Sequence, residues 1–192
     1  ILTVSLMNLM GNNYIKGTGI PGLLILERPT FDDERGFFRE VFHLDELEEV
    51  SGIKFNLAQW NHSFSKPGVI RGLHAENWNK IVYSVTGKMF TAIVDLRPDS
   101  GTFGKVETFT LDENNRSALF IPKGLANSVC AVGDEAVNYL YLVDDYYNGT
   151  DTTAVAFDDP DLVIKWPVEN PIISDRDKNN LTLRKLFPEK FK

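Results

Sequence analysis

Five side chains able to move a proton or hold an anion stand out in a chain otherwise rich in strand formers: Arg71, His74, Lys80, Tyr141 and Asp177. The first three share one stretch, GVIRGLHAENWNKIVYSVTG, over 68–87. An unperturbed imidazole titrates near neutral pH, so His74 is a candidate general base. An ammonium beside a developing oxyanion stabilises it electrostatically, which suits Lys80. A planar guanidinium grips phosphate or carboxylate with two N–H groups, which suits Arg71. Tyr141 lies in an apolar strand and offers a phenolic proton, and Asp177, in ISDRD, offers a carboxylate to orient a histidine. Together they fit proton abstraction next to a carbonyl, with His as base, Lys at the enolate oxygen and Tyr as acid on the opposite face. Removal from one face and return to the other inverts a stereocentre. The ketone itself acidifies the neighbouring C–H, so no cofactor is required.

Each residue also has an ordinary structural reading. His74 fits a core or surface position, Lys80 and Arg71 fit surface charges with buried stems, and Tyr141 fits a core position with its hydroxyl bonded. Asp177 fits an acid at a helix N-terminus. His43, opening a helical stretch, and His62, in QWNHS, compete for the role of base. A metal site is the rival chemistry and wants two or three clustered histidines with a carboxylate. The three histidines here are dispersed, with no H-x-H spacing, so no metal is expected. Cys130, the single cysteine, reads as a small buried hydrophobe and allows no internal disulfide.

The elements that must position these groups are strands. Turn signals such as GIPG, KPG, RPDSG, DENN, PKG and YNGTD recur roughly every 8–12 residues. Between them lie LLILER, FFREVF, FNLAQW, KIVYSV, KMFTAIVDL, KVETFTL, SALFI, SVCAV and AVNYLYLV. This predicts an all-β sandwich or barrel. Only HLDELEEVSG, from 43, and SDRDKNNLTLRKLF, from 174, read as helical; the first spaces Leu44, Leu47 and Val50 by three and stops at Gly52. Strand parity puts Lys80, Val82 and Ser84 on one face of their strand and Ile81, Tyr83 and Val85 on the other. Arg71 and His74 have opposite parity, so a shared site requires a bulge or kink at Gly72.

With 192 residues, 43% of them hydrophobic and 24% charged, the chain reads as one ordinary soluble domain. A net charge of −7 argues against nucleic acid or an anionic membrane as partner. A phosphate-bearing ligand must be held by a few local arginines and lysines. Residues 1–18 are expected to form an edge strand or a loose N-terminal segment, and 174–192 a C-terminal helical segment. The opening ILTVSLMNLM is too short to span a bilayer and lacks a basic leader, so a cytoplasmic location is expected.

The motifs PGLLILERPTFDDERGFFREVF, QWNHSFSKPGVIRGLH, KIVYSVTGKMFTAIVDLRPDSGTFGK, LFIPKGLANS, YLYLVDDYY, DDPDLVIKWP and ISDRD occur in this order. On them the chain resembles the dTDP-4-dehydrorhamnose 3,5-epimerase family of nucleotide-sugar epimerases. The resemblance implies a double-stranded β-helix jelly roll (cupin) with short peripheral helices. It implies a homodimer with exchanged N-terminal strands, no metal or cofactor, and a 4-keto-6-deoxy nucleotide sugar as substrate. It assigns His74 as base, Asp177 as its partner, Lys80 to the enolate oxygen and Tyr141 as proton donor. Arg35, Glu40, Gln59, Asn61 and Arg71 match substrate contacts, with Arg35 reaching the diphosphate of the partner subunit's ligand. Tyr147 matches a position near the sugar or nucleotide. Two departures concern recognition. HAENWNK is shorter than the family's usual loop and lacks its glutamine, and Asn127, in GLANSV, stands where a histidine is usual. Asparagine exchanges hydrogen bonds but does not titrate. The nucleotide (dTDP, GDP, CDP or UDP), the inverted carbon (C3, C5 or both) and the pathway served therefore stay open. So do a catalytically silent sugar-nucleotide-binding cupin and a cupin keto-sugar isomerase.

Overall fold

Short apolar runs separated by glycine- and proline-bearing turns fold here into two facing antiparallel sheets. The structure is a computed structural model and describes residues 14–149 and 152–191. One sheet has the order β1 (Ile15–Gly17), β2 (Leu24–Leu26), β10 (Ala118–Ile121), β7 (Lys80–Thr86), β12 (Val137–Val143), β5 (Gln59–Ser65). The other runs β13 (Thr152–Ala154), β6 (Val69–Glu76), β11 (Leu125–Val132), β8 (Lys88–Asp95), β9 (Val106–Asp112), with β14 (Ile172–Ile173) parallel to the start of β6. A hairpin of β3 (Thr30–Asp33) and β4 (Gly36–Arg39) stands apart from both. This is the expected jelly roll. The expected N-terminal edge strand falls partly outside the described residues, and the part within them is β1.

Apolar clusters lie on three levels. Between the sheets, Val82, Leu119 and Val137 of the first meet Met89, Ile93, Leu125 and Val129 of the second. Helix α1 (Leu44–Ser51) sinks Leu47 onto the outside of the first sheet, beside Phe55, Ile81 and Phe120. Helix α3 (Leu183–Leu186) caps the outside of the second, packing Leu183 near Ala92, Val94 and Ala126. With both faces covered, β10 and most of β11 are buried along their length. Such strands read in sequence as continuous apolar runs, not alternations.

Some boundaries differ from expectation. β5 begins at Gln59, not Phe55, because Phe55 leaves the ladder to pack edge-to-face on Phe120, ring centres 6.2 Å apart. The C-terminal helical stretch breaks into α2 (Asp175–Lys178) and α3, each started by its own hydroxyl residue, Ser174 and Thr182. Strands β13 and β14, of three and two residues, carry no sequence signal of their own. α1 ends as read, with Gly52 left-handed at φ 67°. Among the described residues no helix is long and apolar enough to cross a membrane.

Candidate active site

The site is built around a break in β6. Asn127 of β11 pairs with His74, but Val129 pairs with Arg71, so two steps on β11 span three on β6. Gly72 occupies the break at φ 119°, and a Cβ there would sit 2.7 Å from the Asn127 carbonyl oxygen. Only glycine fits, and the extra residue turns Arg71 and His74 toward one cleft despite their opposite parity.

That cleft, about 720 Å³ in volume, opens between the sheets. His74, Lys80, Tyr141 and Asp177 all line it, as do Gln59, Asn61, Arg71, Asn127 and Tyr147. Parity holds on β7: Lys80 and Val82 face the cleft, while Ile81 and Tyr83 belong to the cluster under α1. Arg35 and Glu40 lie elsewhere in this chain. Arg35, its side chain 84% exposed, forks onto Asp33 beside the β3–β4 hairpin, and Glu40 pairs with Arg28 and His43. The two rival histidines are also outside: His62 points from the exposed side of β5 to Asn138, 3.2 Å away, and His43 precedes α1 without capping it. Among the described residues no three His, Cys, Asp or Glu side chains form a metal-binding group.

His74 Nε2 lies 2.6 Å from Asp177 Oδ1. The Gly72 N–H donates to the other carboxylate oxygen at 3.3 Å. Asp177 is 4% exposed. Burial pushes its carboxyl up, but the His74 hydrogen bond and charge, with the Gly72 N–H and Ser174 hydroxyl, outweigh burial and leave it below the usual carboxylate value. An ionised Asp177 accepts a hydrogen bond from Nε2–H, so a neutral His74 carries its free lone pair on Nδ1. Lys80, 6% exposed, donates to Glu76 Oε2 at 2.9 Å and to Asn127 Oδ1 at 2.8 Å. Its Nζ lies 5.3 Å from the centre of the Tyr141 ring, which stacks on Tyr139 at 6.1 Å. Burial pushes the Tyr141 phenol up, Tyr139 and Glu76 add to this, and Arg71 opposes it. The phenol therefore holds its proton at neutral pH. The arrangement brings a histidine–carboxylate pair, an ammonium and a protonated phenol to one cavity, the set that removes and returns a proton beside a carbonyl.

At the sides, Arg71 is held by Ser65 Oγ at 3.0 Å and the Phe64 carbonyl at 3.2 Å. Gln59 Nε2 donates to Asn61 Oδ1 at 2.5 Å, and Asn61 Nδ2 is buried without a partner among the described residues. Among the cleft residues that escaped the sequence reading are Glu76, Trp78 and Arg176. Glu76 had a signal, since it follows His74 by two and so shares its face of the strand. Trp78 meets Tyr147 edge-to-face at 6.2 Å, and its indole N–H is buried without a partner among the described residues. Arg176 sits beside Asp177 in a motif read only for its carboxylate.

The family model for dTDP-4-dehydrorhamnose 3,5-epimerase matches residues 17–185. The chain is 41% identical to the dTDP-4-dehydrorhamnose 3,5-epimerase of Shigella flexneri, covering 87% of this chain and 93% of that one. It is similar in structure to a 4-keto-6-deoxy sugar epimerase from the novobiocin cluster of Streptomyces spheroides, with TM-score 0.88 and 32% identity over 94% of this chain and 93% of that one. A Legionella pneumophila epimerase in complex with dTDP-4-keto-L-rhamnose gives TM-score 0.85 and 34% identity over 91% of this chain and 95% of that one. By motif, fold and sequence, this chain belongs to the dTDP-4-dehydrorhamnose 3,5-epimerase family.

Proposed function

We propose that this chain epimerises a dTDP-linked 4-keto-6-deoxy sugar at C3, C5 or both, with His74 as base and Tyr141 as acid and without a metal or cofactor. The observation that carries the reading is the 2.6 Å His74–Asp177 hydrogen bond in a cleft shared with Lys80 and Tyr141. His74 Nδ1 takes the proton from a carbon next to the ketone. The C–H pair flows into the enolate, and Asp177 stabilises the imidazolium that results. An ammonium has three N–H groups. Glu76 and Asn127 take two of those on Lys80, leaving one for the enolate oxygen. Tyr141 then gives its proton to the carbon from the other face, and solvent resets phenolate and imidazolium.

Arg71 and Arg176 supply positive charge for the diphosphate. Gln59, Asn61 and Asn127 hold the sugar's oxygens, and Tyr147, with Trp78, flanks the nucleotide. Arg35 and Glu40 act across a homodimer whose N-terminal strands exchange, so that they meet the partner subunit's ligand. The exposed Phe31, Phe37 and Phe38 of the hairpin, with Trp60 and Phe64 on edge strand β5, support a second copy covering this surface. The chain works as a single cupin-type domain in the cytoplasm.

The test is incubation in D₂O with 4-keto-6-deoxy sugars carried on dTDP, GDP, CDP and UDP, followed by NMR at C3 and C5. Deuterium entering at either carbon of the dTDP sugar supports the proposal. Binding of every sugar without exchange identifies a silent binder, keto migration identifies an isomerase, and exchange confined to another nucleotide corrects the substrate.

A further inference from the structure

Glu76 is a carboxylate in a cleft that must handle an anionic substrate, and neither the histidine pair nor the diphosphate accounts for it. It lies at the end of β6, two residues from His74, and reaches Lys80 Nζ at 2.9 Å; the two side chains are 15% and 8% exposed. The third group bonded there, Asn127, is an uncharged acceptor. Asp177 is engaged with His74, so among the described residues Glu76 is the only anion paired with Lys80. An ammonium this far from water loses its proton or swings outward unless an anion answers it. Resting on the proton-transfer reading above, we propose that Glu76 is a positioning residue: its carboxylate anchors the buried Lys80 ammonium and aims it at the enolate oxygen, beside the Tyr141 ring.

The carboxylate's charge is also felt at Tyr141, whose ring centre lies 5.3 Å from Lys80 Nζ. Glu76 is among the groups that push the Tyr141 phenol up, after burial and Tyr139, against the pull of Arg71. The groups around that phenol come from three strands: Tyr139 on β12, Glu76 and Arg71 on β6, and Lys80 on β7. Opposite it, β5 presents the uncharged Asn61. Replacing Glu76 with glutamine keeps size and an acceptor oxygen but removes the charge.

In Glu76→Gln, kcat for the exchanging sugar should fall about 10- to 100-fold with KM within about threefold, as for loss of one preorganised electrostatic group. The phenol titration read from absorbance, identified as the one missing in Tyr141→Phe, should move to lower pH. Glu76→Asp, which keeps the charge, should leave that titration in place and recover part of kcat. Unchanged kcat, a loss expressed in KM alone, or an unmoved Tyr141 titration in Glu76→Gln overturns the proposal. The titration needs no turnover, so it judges Glu76 even if the wild-type protein exchanges no sugar, a result that would defeat the epimerase reading instead.

Discussion

Asp95 ends β8 outside the cleft lining, and Asp177 stands on α2 at the cleft; both are almost entirely out of water. Burial pushes both carboxyls up, and hydrogen bonds carry both back below their ordinary value, Asp95 to about 2. Their partners differ in kind. Asp95 is met by Arg97 Nε and Nη2 at 2.8 and 2.7 Å, by Ser100 Oγ at 2.7 Å and by Thr102 Oγ1 at 2.7 Å, none more than seven residues away. Asp177 is met by His74 and Gly72, 103 and 105 residues distant, with only the Ser174 hydroxyl close in the chain. A carboxylate saturated by a guanidinium that never titrates anchors a loop. One that faces an imidazole on a cavity wall lends its charge to a group that gains and loses protons. Burial and lowered pKa alone do not separate the two regions; the partner's chemistry does.

Substitutions can break this contrast. His74→Ala should lower deuterium exchange about 10²- to 10⁴-fold, the usual worth of a placed general base, with a melting temperature close to wild type. Tyr141→Phe should keep exchange but lose inversion about tenfold or more, read as the ratio of deuterated starting sugar to epimer; equal loss of both would remove Tyr141 from the acid role. Asp95→Asn should cost about 1–3 kcal/mol of unfolding free energy, since Arg97 and two hydroxyls lose their acceptor's charge, while activity per folded molecule stays unchanged. The smallest effect is in pH dependence. A carboxyl lowered on folding stabilises above its unfolded value and loses that contribution as pH falls through the folded one. For Asp95 the window runs from 3.8 down to about 2. Urea melts across it should show a shallower fall in Asp95→Asn than in wild type.

What the sequence revealed follows the range of the interactions involved. Parity along β7 and the glycine stop of α1 are local properties and were legible. The bulge at Gly72 was legible as a requirement, because two parities had to be reconciled, but its cause, the approach of Asn127 and Ser128, lies on another strand. The Lys80–Asn127 bond depends on the register of strands 47 residues apart, which propensity does not encode. Glu76 went unnoticed because a carboxylate near the turn into β7 reads as a solvated charge until Lys80 is seen beside it. Arg35 and Glu40 were singled out by motif alone, and nothing in one chain's local pattern ties them to the cleft.

The contrast comes down to one protein, Asp177→Asn. Asparagine keeps the size of the side chain but removes the charge that answers the His74 imidazolium. If that charge serves chemistry, the variant melts within about 1 kcal/mol of wild type and takes up deuterium from D₂O at the sugar's C3 or C5 at least about tenfold more slowly. A stable Asp177→Asn protein exchanging at the wild-type rate would contradict the account, because His74 would then act without its carboxylate.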